Sequence, residues 1–128
     1  MVLITSNKVK QLLYICHIGQ VRLSEFPPGQ EDLKMQLDEL SAGFTLLADF
    51  SRLETMDLDC APELGRVMER IGRAGVGLVI RVIPDPRKDI GMNILTVFHY
   101  PHHPRVVTCE TMVAAARALA AAGDPGPV

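Results

Sequence analysis

Tryptophan is missing from the chain, and aromatic residues of all kinds make up only 5% of it. That scarcity disfavours aromatic cages and base-stacking platforms. Cysteine is also sparse. Cys16, Cys60 and Cys109 are odd in number, widely spaced and without a CxxC pair. The pattern argues against a disulfide framework and a zinc ribbon, and reads as free thiols packed like small hydrophobes. There is little charge excess. The formal net charge is −2 and the basic residues are scattered, so the basic stripe of a nucleic-acid binder is lacking. No apolar run approaches the roughly 20 residues of a membrane span. The opening MVLITSNKVK has no long apolar signal-peptide core. The expectation is a soluble, cytoplasmic protein.

What is present is ordinary for one globular domain: 128 residues, 48% hydrophobic and 22% charged. We expect a single domain over residues 1–122 and a disordered tail over 123–128, where Gly and Pro alternate.

The apolar runs set the order of elements. Val2 to Thr5 and Gln11 to Ile18, joined by a polar turn and stopped at Gly19, read as a β-hairpin. Pro27, Pro28 and Gly29 argue against helix before Gln30, after which Leu33, Leu37 and Leu40 share one helical face. Phe44 to Asp49 reads as a buried parallel strand and is followed by a loop carrying Asp57 and Asp59. Pro62 suits a helix start, and Leu64, Val67, Met68 and Ile71 make the apolar stripe of that helix. Gly75 would cap it, with Gly77 to Ile83 as the next strand. Asp85 can cap a further helix over 86–98, RVVTC at Arg105 to Cys109 is a last strand, and Thr111 to Ala122 is an Ala-rich helix with Met112, Val113, Ala116 and Leu119 facing inward. The fold class is therefore α/β: a small, mostly parallel mixed sheet flanked by helices, with a hairpin start followed by alternating β and α.

Asp49-Phe50-Ser51, then Met56-Asp57-Leu58-Asp59-Cys60-Ala61, then a helix to Ala74-Gly75 and a strand, form a recognisable frame. From Leu46 to Ile83 it resembles the STAS domain of bacterial anti-sigma-factor antagonists, the SpoIIAA-like fold. It also looks like SpoIIAA-like relatives grouped with CRAL-TRIO-type lipid carriers. The resemblance implies a non-enzymatic regulatory module that binds another protein, an anti-sigma factor or other regulator, through Ser51, Asp57, Leu58, Asp59 and Cys60. In that family a kinase phosphorylates a serine at the start of the helix. The matching position here is Asp59, and no hydroxyl exists from Leu58 to Ala61. A carboxylate there is favoured by the helix dipole and can act as a fixed mimic of the phosphorylated state or simply as a cap.

Other clusters leave alternatives open. Arg87 and Lys88, near the carboxyl ends of the strands, either hold an anion or are solvated. Ile90, Met92, Ile94, Leu95, Val97 and Phe98 make an apolar helix surface. It reads as a buried helix, as a lid over a small apolar, lipid-like ligand, or as a homodimer or partner face. His99, His102 and His103 are separated by prolines and show no metal-ligand spacing. Cys60 near a helix start has no histidine at a motif spacing, and no acid–base or nucleophile set converges elsewhere. We expect no cofactor, no metal and no catalytic residue.

Overall fold

The computed structural model describes residues 1–85, 100 and 104–123. Strand β1 (Val2–Asn7) pairs antiparallel with β2 (Leu12–Val21) across a turn closed by the Asn7 side chain, whose Oδ1 accepts the Lys10 N–H at 3.0 Å. Strands β3 (Thr45–Met56), β4 (Leu78–Val82) and β5 (Arg105–Cys109) then add in parallel, in the order β1-β2-β3-β4-β5. Helices α1 (Phe26–Leu37) and α2 (Ala61–Arg73) cover one face of this sheet, and α3 (Met112–Gly123) packs on the other. The expected α/β class, hairpin edge and mostly parallel sheet are what the chain forms.

Alternation along the strands builds two cores. Leu13, Ile15, Leu46, Ala48 and Val79 pack beneath Phe26 and Leu33 of α1 and Leu64, Met68 and Ile71 of α2. Leu47, Ile80 and Val82 point the other way, against Ala115, Ala118 and Leu119. The stripe read on α2 is thus its buried side, with Val67 partly buried. Away from that stripe Arg66 pairs with Glu63 at 2.7 Å and Arg73 pairs with Glu69. Gly75, at φ 95°, closes α2 in the left-handed region as expected.

Four local expectations are corrected. Helix α1 begins at Phe26, not Gln30, because Pro27 and Pro28 fall in its first turn, where an N–H would have no helical partner anyway. Strand β2 runs through Gly19 to Val21, and Gly19 (φ 67°) marks an irregularity in the pairing with β3 rather than an end. Strand β3 does not stop at Asp49. It continues to Met56 because the far half of β2 pairs with it and Leu53 stays 3% exposed. On α3 the inward side is Ala115, Ala118 and Leu119. Met112 and Val113 are exposed, at 39% and 63%, and Ala116 is exposed too.

Candidate functional site

The extension of β3 carries the expected partner-facing segment. Asp57 leaves the strand in an extended conformation (φ −63°, ψ 141°), and Leu58–Cys60 make one turn of 3-10 helix that opens α2. The end of β2 pins this turn. The Val21 carbonyl accepts the Asp57 N–H at 3.5 Å and the Cys60 thiol at 3.9 Å. The Cys60 N–H closes the turn on the Asp57 carbonyl at 2.9 Å. Ser51, Asp57, Leu58 and Asp59 are exposed, Leu58 at 79%.

Cys60, expected on the contact surface, is instead fully buried at 0% exposure. Burial, followed by the charge of Asp57, pushes its thiol above the usual range, which overrides the thiolate-favouring effect of a helix start. Neither the 3-10 turn nor the start of α2 has a side-chain capping hydrogen bond. The capping role read for Asp59 is not realised, and Asp57 and Asp59 are both exposed. Ser51 stands apart, separated from Asp57 by about 20 Å of extended strand.

Ser51 is tied instead to a buried acid. Asp49 is 3% exposed, its Oδ1 accepts the Ser51 N–H at 2.8 Å, and its Oδ2 accepts the Tyr14 hydroxyl at 2.8 Å and the Cys16 thiol at 3.7 Å. Burial alone would raise the Asp49 carboxyl, but the hydrogen bonds from Ser51, Tyr14 and Cys16 outweigh it and hold the group below its usual range. Burial, followed by the hydrogen bonds of the same network, pushes the Tyr14 hydroxyl up.

The opposite sheet face holds polar groups that residue type alone would assign to the surface. His17 is 5% exposed, stacks on Phe50 with ring centroids 4.6 Å apart and planes 9° apart, and leaves Nδ1 without a hydrogen-bond partner among the described residues. Burial and the nearby Met1 ammonium lower its pKa to about 4. Cys16 and His17 point to opposite faces, as adjacent strand residues must. Arg81 is 4% exposed and donates through Nε and Nη2 to Thr108 Oγ1 at 3.2 and 2.8 Å. His17, Phe50, Met68, Ile71, Arg81 and Tyr100 border a small cavity of about 30 Å³.

Among the described residues no three His, Cys, Asp or Glu side chains gather as a metal-binding group, and no helix is long and apolar enough to cross a membrane. The expected anion site at Arg87 and Lys88, the surface formed by Ile90, Met92, Ile94, Leu95, Val97 and Phe98, and the histidines 99, 102 and 103 lie outside the described residues.

The fold has counterparts among solved structures. An uncharacterized protein with a SpoIIAA-like fold from Shewanella loihica superposes with a TM-score of 0.68 at 14% identity, covering 93% of this chain and 92% of its own. The fold is SpoIIAA-like. An anti-sigma factor antagonist from Mycobacterium paratuberculosis matches with a TM-score of 0.58 at 16% identity over 94% of this chain and 93% of its own. The anti-sigma factor antagonist SpoIIAA in its unphosphorylated form matches with a TM-score of 0.56 at 18% identity over 92% and 97%. No protein-family model and no curated sequence matches the chain.

Proposed function

We propose that the chain is a non-enzymatic regulatory module that binds another protein through the turn at Asp57, Leu58 and Asp59. The observation that carries this reading is the placement of Leu58. A large apolar side chain, 79% exposed, stands between two exposed carboxylates on a turn whose next residue, Cys60, is fully buried. Such a turn presents its apolar tip already ordered, so a partner pays little conformational entropy to engage it. The likeness in fold to anti-sigma factor antagonists supports the same reading. Asp59 stands at the position the resemblance gives to a phosphorylated serine, so its charge is permanent and the module is not switched there by a kinase.

The test is a photo-crosslinking amino acid placed at position 58 in the source cell, with position 35 as control, since Met35 is also exposed, at 68%. A discrete protein adduct from position 58 and none from position 35 is the expected result. No adduct, or the same adducts from both positions, overturns the proposal. Bound lipid in native mass spectra of the purified chain, together with no adduct at position 58, would favour the apolar-carrier reading instead.

A further inference from the structure

A second surface lies at the other end of the sheet. Leu12 pairs with Thr45 at the start of β3, whereas Asp57 follows Met56 at its end. Around Leu12, the β1–β2 turn and α3 enclose an open groove of about 620 Å³ lined by Val9, Lys10, Leu12, Ala116, Leu119 and Ala120. Val9, at 94%, is the most exposed of the large apolar side chains described.

Two features specify what fits there. The first is shape. Ala116 and Ala120 are four residues apart, so they stack along one side of α3, and their short side chains leave its backbone open to close approach. A groove with that floor runs along a helix axis and suits another helix. The second is charge. The chain has 15 acidic residues, yet neither the turn (residues 7–11, NKVKQ) nor α3 (MVAAARALAAAG) contains one. All the charges on these two elements are cations, Lys8, Lys10 and Arg117, and all three are exposed. A second copy docking about a two-fold axis would bring this patch against itself and oppose like charges. An acidic partner meets no such repulsion.

We propose that the groove between the β1–β2 turn and α3 docks an acidic amphipathic helix of a partner protein. Its apolar face would lie along Ala116, Leu119 and Ala120, and its carboxylates would meet Lys10 and Arg117. The groove is at the opposite end of β3 from Leu58 and on the opposite sheet face from α2. Both surfaces can therefore be occupied together, and the chain can bridge two partners.

The experiment is amide chemical-shift mapping of the ¹⁵N-labelled full chain with a synthetic amphipathic helix of about 18 residues, Leu on one face and Glu on its flanks. A matched peptide with Lys for each Glu is the control. The Glu peptide should shift the amides of Val9, Lys10, Ala116 and Ala120, while the Lys peptide leaves them in place. Lys10→Glu with Arg117→Glu should weaken the Glu peptide about tenfold and let the Lys peptide bind. Both positions are exposed, so the fold is expected to persist, and the spectrum of the free variant verifies that. Equal binding of the two peptides, or shifts confined to other surfaces, overturns the proposal. So does a concentration-dependent dimer, in sedimentation, that Ala116→Glu abolishes. Binding to vesicles of phosphatidylcholine and phosphatidylserine with no binding of the Glu peptide overturns it as well.

Discussion

The thiol of Cys60 points at the carbonyl of Val21 from 3.9 Å, and through it the end of β2 holds the turn that starts α2. The exposed tip at Leu58 thus stands two residues from a buried anchor. This relationship predicts the behaviour of the thiols. Cys16 and Cys60 are 4% and 0% exposed, and burial raises both above the usual thiol range. Each is mostly protonated at neutral pH and shielded from reagents. In native buffer at pH 8 an aromatic disulfide reagent should react slowly with both, and quickly once urea unfolds the chain. Rapid labelling of Cys60 in the folded protein, located by peptide mass spectrometry, would contradict the pinned turn.

Acid stability should report His17. Its folded pKa of about 4 lies below the unfolded value of 6.5, so the unfolded chain takes up its proton first. The stability this neutral ring contributes is present above pH 6.5 and is lost as pH falls from 6.5 towards 4, by about 3 kcal/mol in all. The charged groups that act on the ring are the Met1 ammonium, Asp49 and Glu25. Urea titrations at several pH values should show this slope in the native chain, and His17→Phe, which keeps an aromatic stack on Phe50, should flatten it. An unchanged slope in the variant would assign the acid sensitivity to other groups.

Much of this architecture is readable from periodicity. The hairpin, the stripe on α2 and the Gly75 cap follow from local patterns, because a buried side leaves a period of two or near 3.6 in the residues themselves. The far half of β3 is not readable in this way. Ser51, Arg52, Glu54 and Thr55 are exposed and look like a loop, and only pairing with β2, together with the single buried Leu53, makes them a strand. Tertiary pairing overrides local composition there. His17 and Arg81 are hidden for a related reason. Their residue types belong at the surface, and their burial depends on partners such as Phe50 and Thr108, brought from other strands. The exposed segment Asp57–Asp59 is visible as a motif. The burial of Cys60 is not, since nothing local indicates that Val21 lies above it.

The buried acid offers a measurable coupling. Tyr14→Phe removes one of the hydrogen bonds that Asp49 accepts and should cost about 1 kcal/mol. Asp49→Asn disturbs all its partners at once and should cost about 1–3 kcal/mol. Because Tyr14 and Asp49 share a bond, the double variant should lose less than the two single losses added together. Strict additivity in chemical denaturation would mean that the 2.8 Å contact is not formed in solution.

Glycine positions separate strain from freedom. A Cβ on Gly75 would stand 2.8 Å from the Ala42 Cβ, at a φ of 95° that disfavours any side chain. Gly75→Ala should therefore destabilise by about 1–3 kcal/mol. Gly29 is different: it lies in α1, and nothing is within 4 Å of the added atom. Gly29→Ala should stabilise by up to about 1 kcal/mol through helix propensity. Thermal melts of the two variants should move in opposite directions.

Leu58 separates function from stability. At 79% exposure it contributes little to the core, so Leu58→Asp should change the unfolding free energy by no more than about 0.5 kcal/mol. The same substitution replaces the apolar tip with a third adjacent carboxylate, between Asp57 and Asp59. A partner that seats Leu58 in an apolar pocket would then have to bury a charge, so binding should fall at least about tenfold. The measurement is recovery of the partner captured by crosslinking, once with the native chain as bait and once with Leu58→Asp, each verified as folded by circular dichroism. Equal recovery by the two baits would remove Leu58 from the interface, and a cooperative loss of fold would assign it to the core.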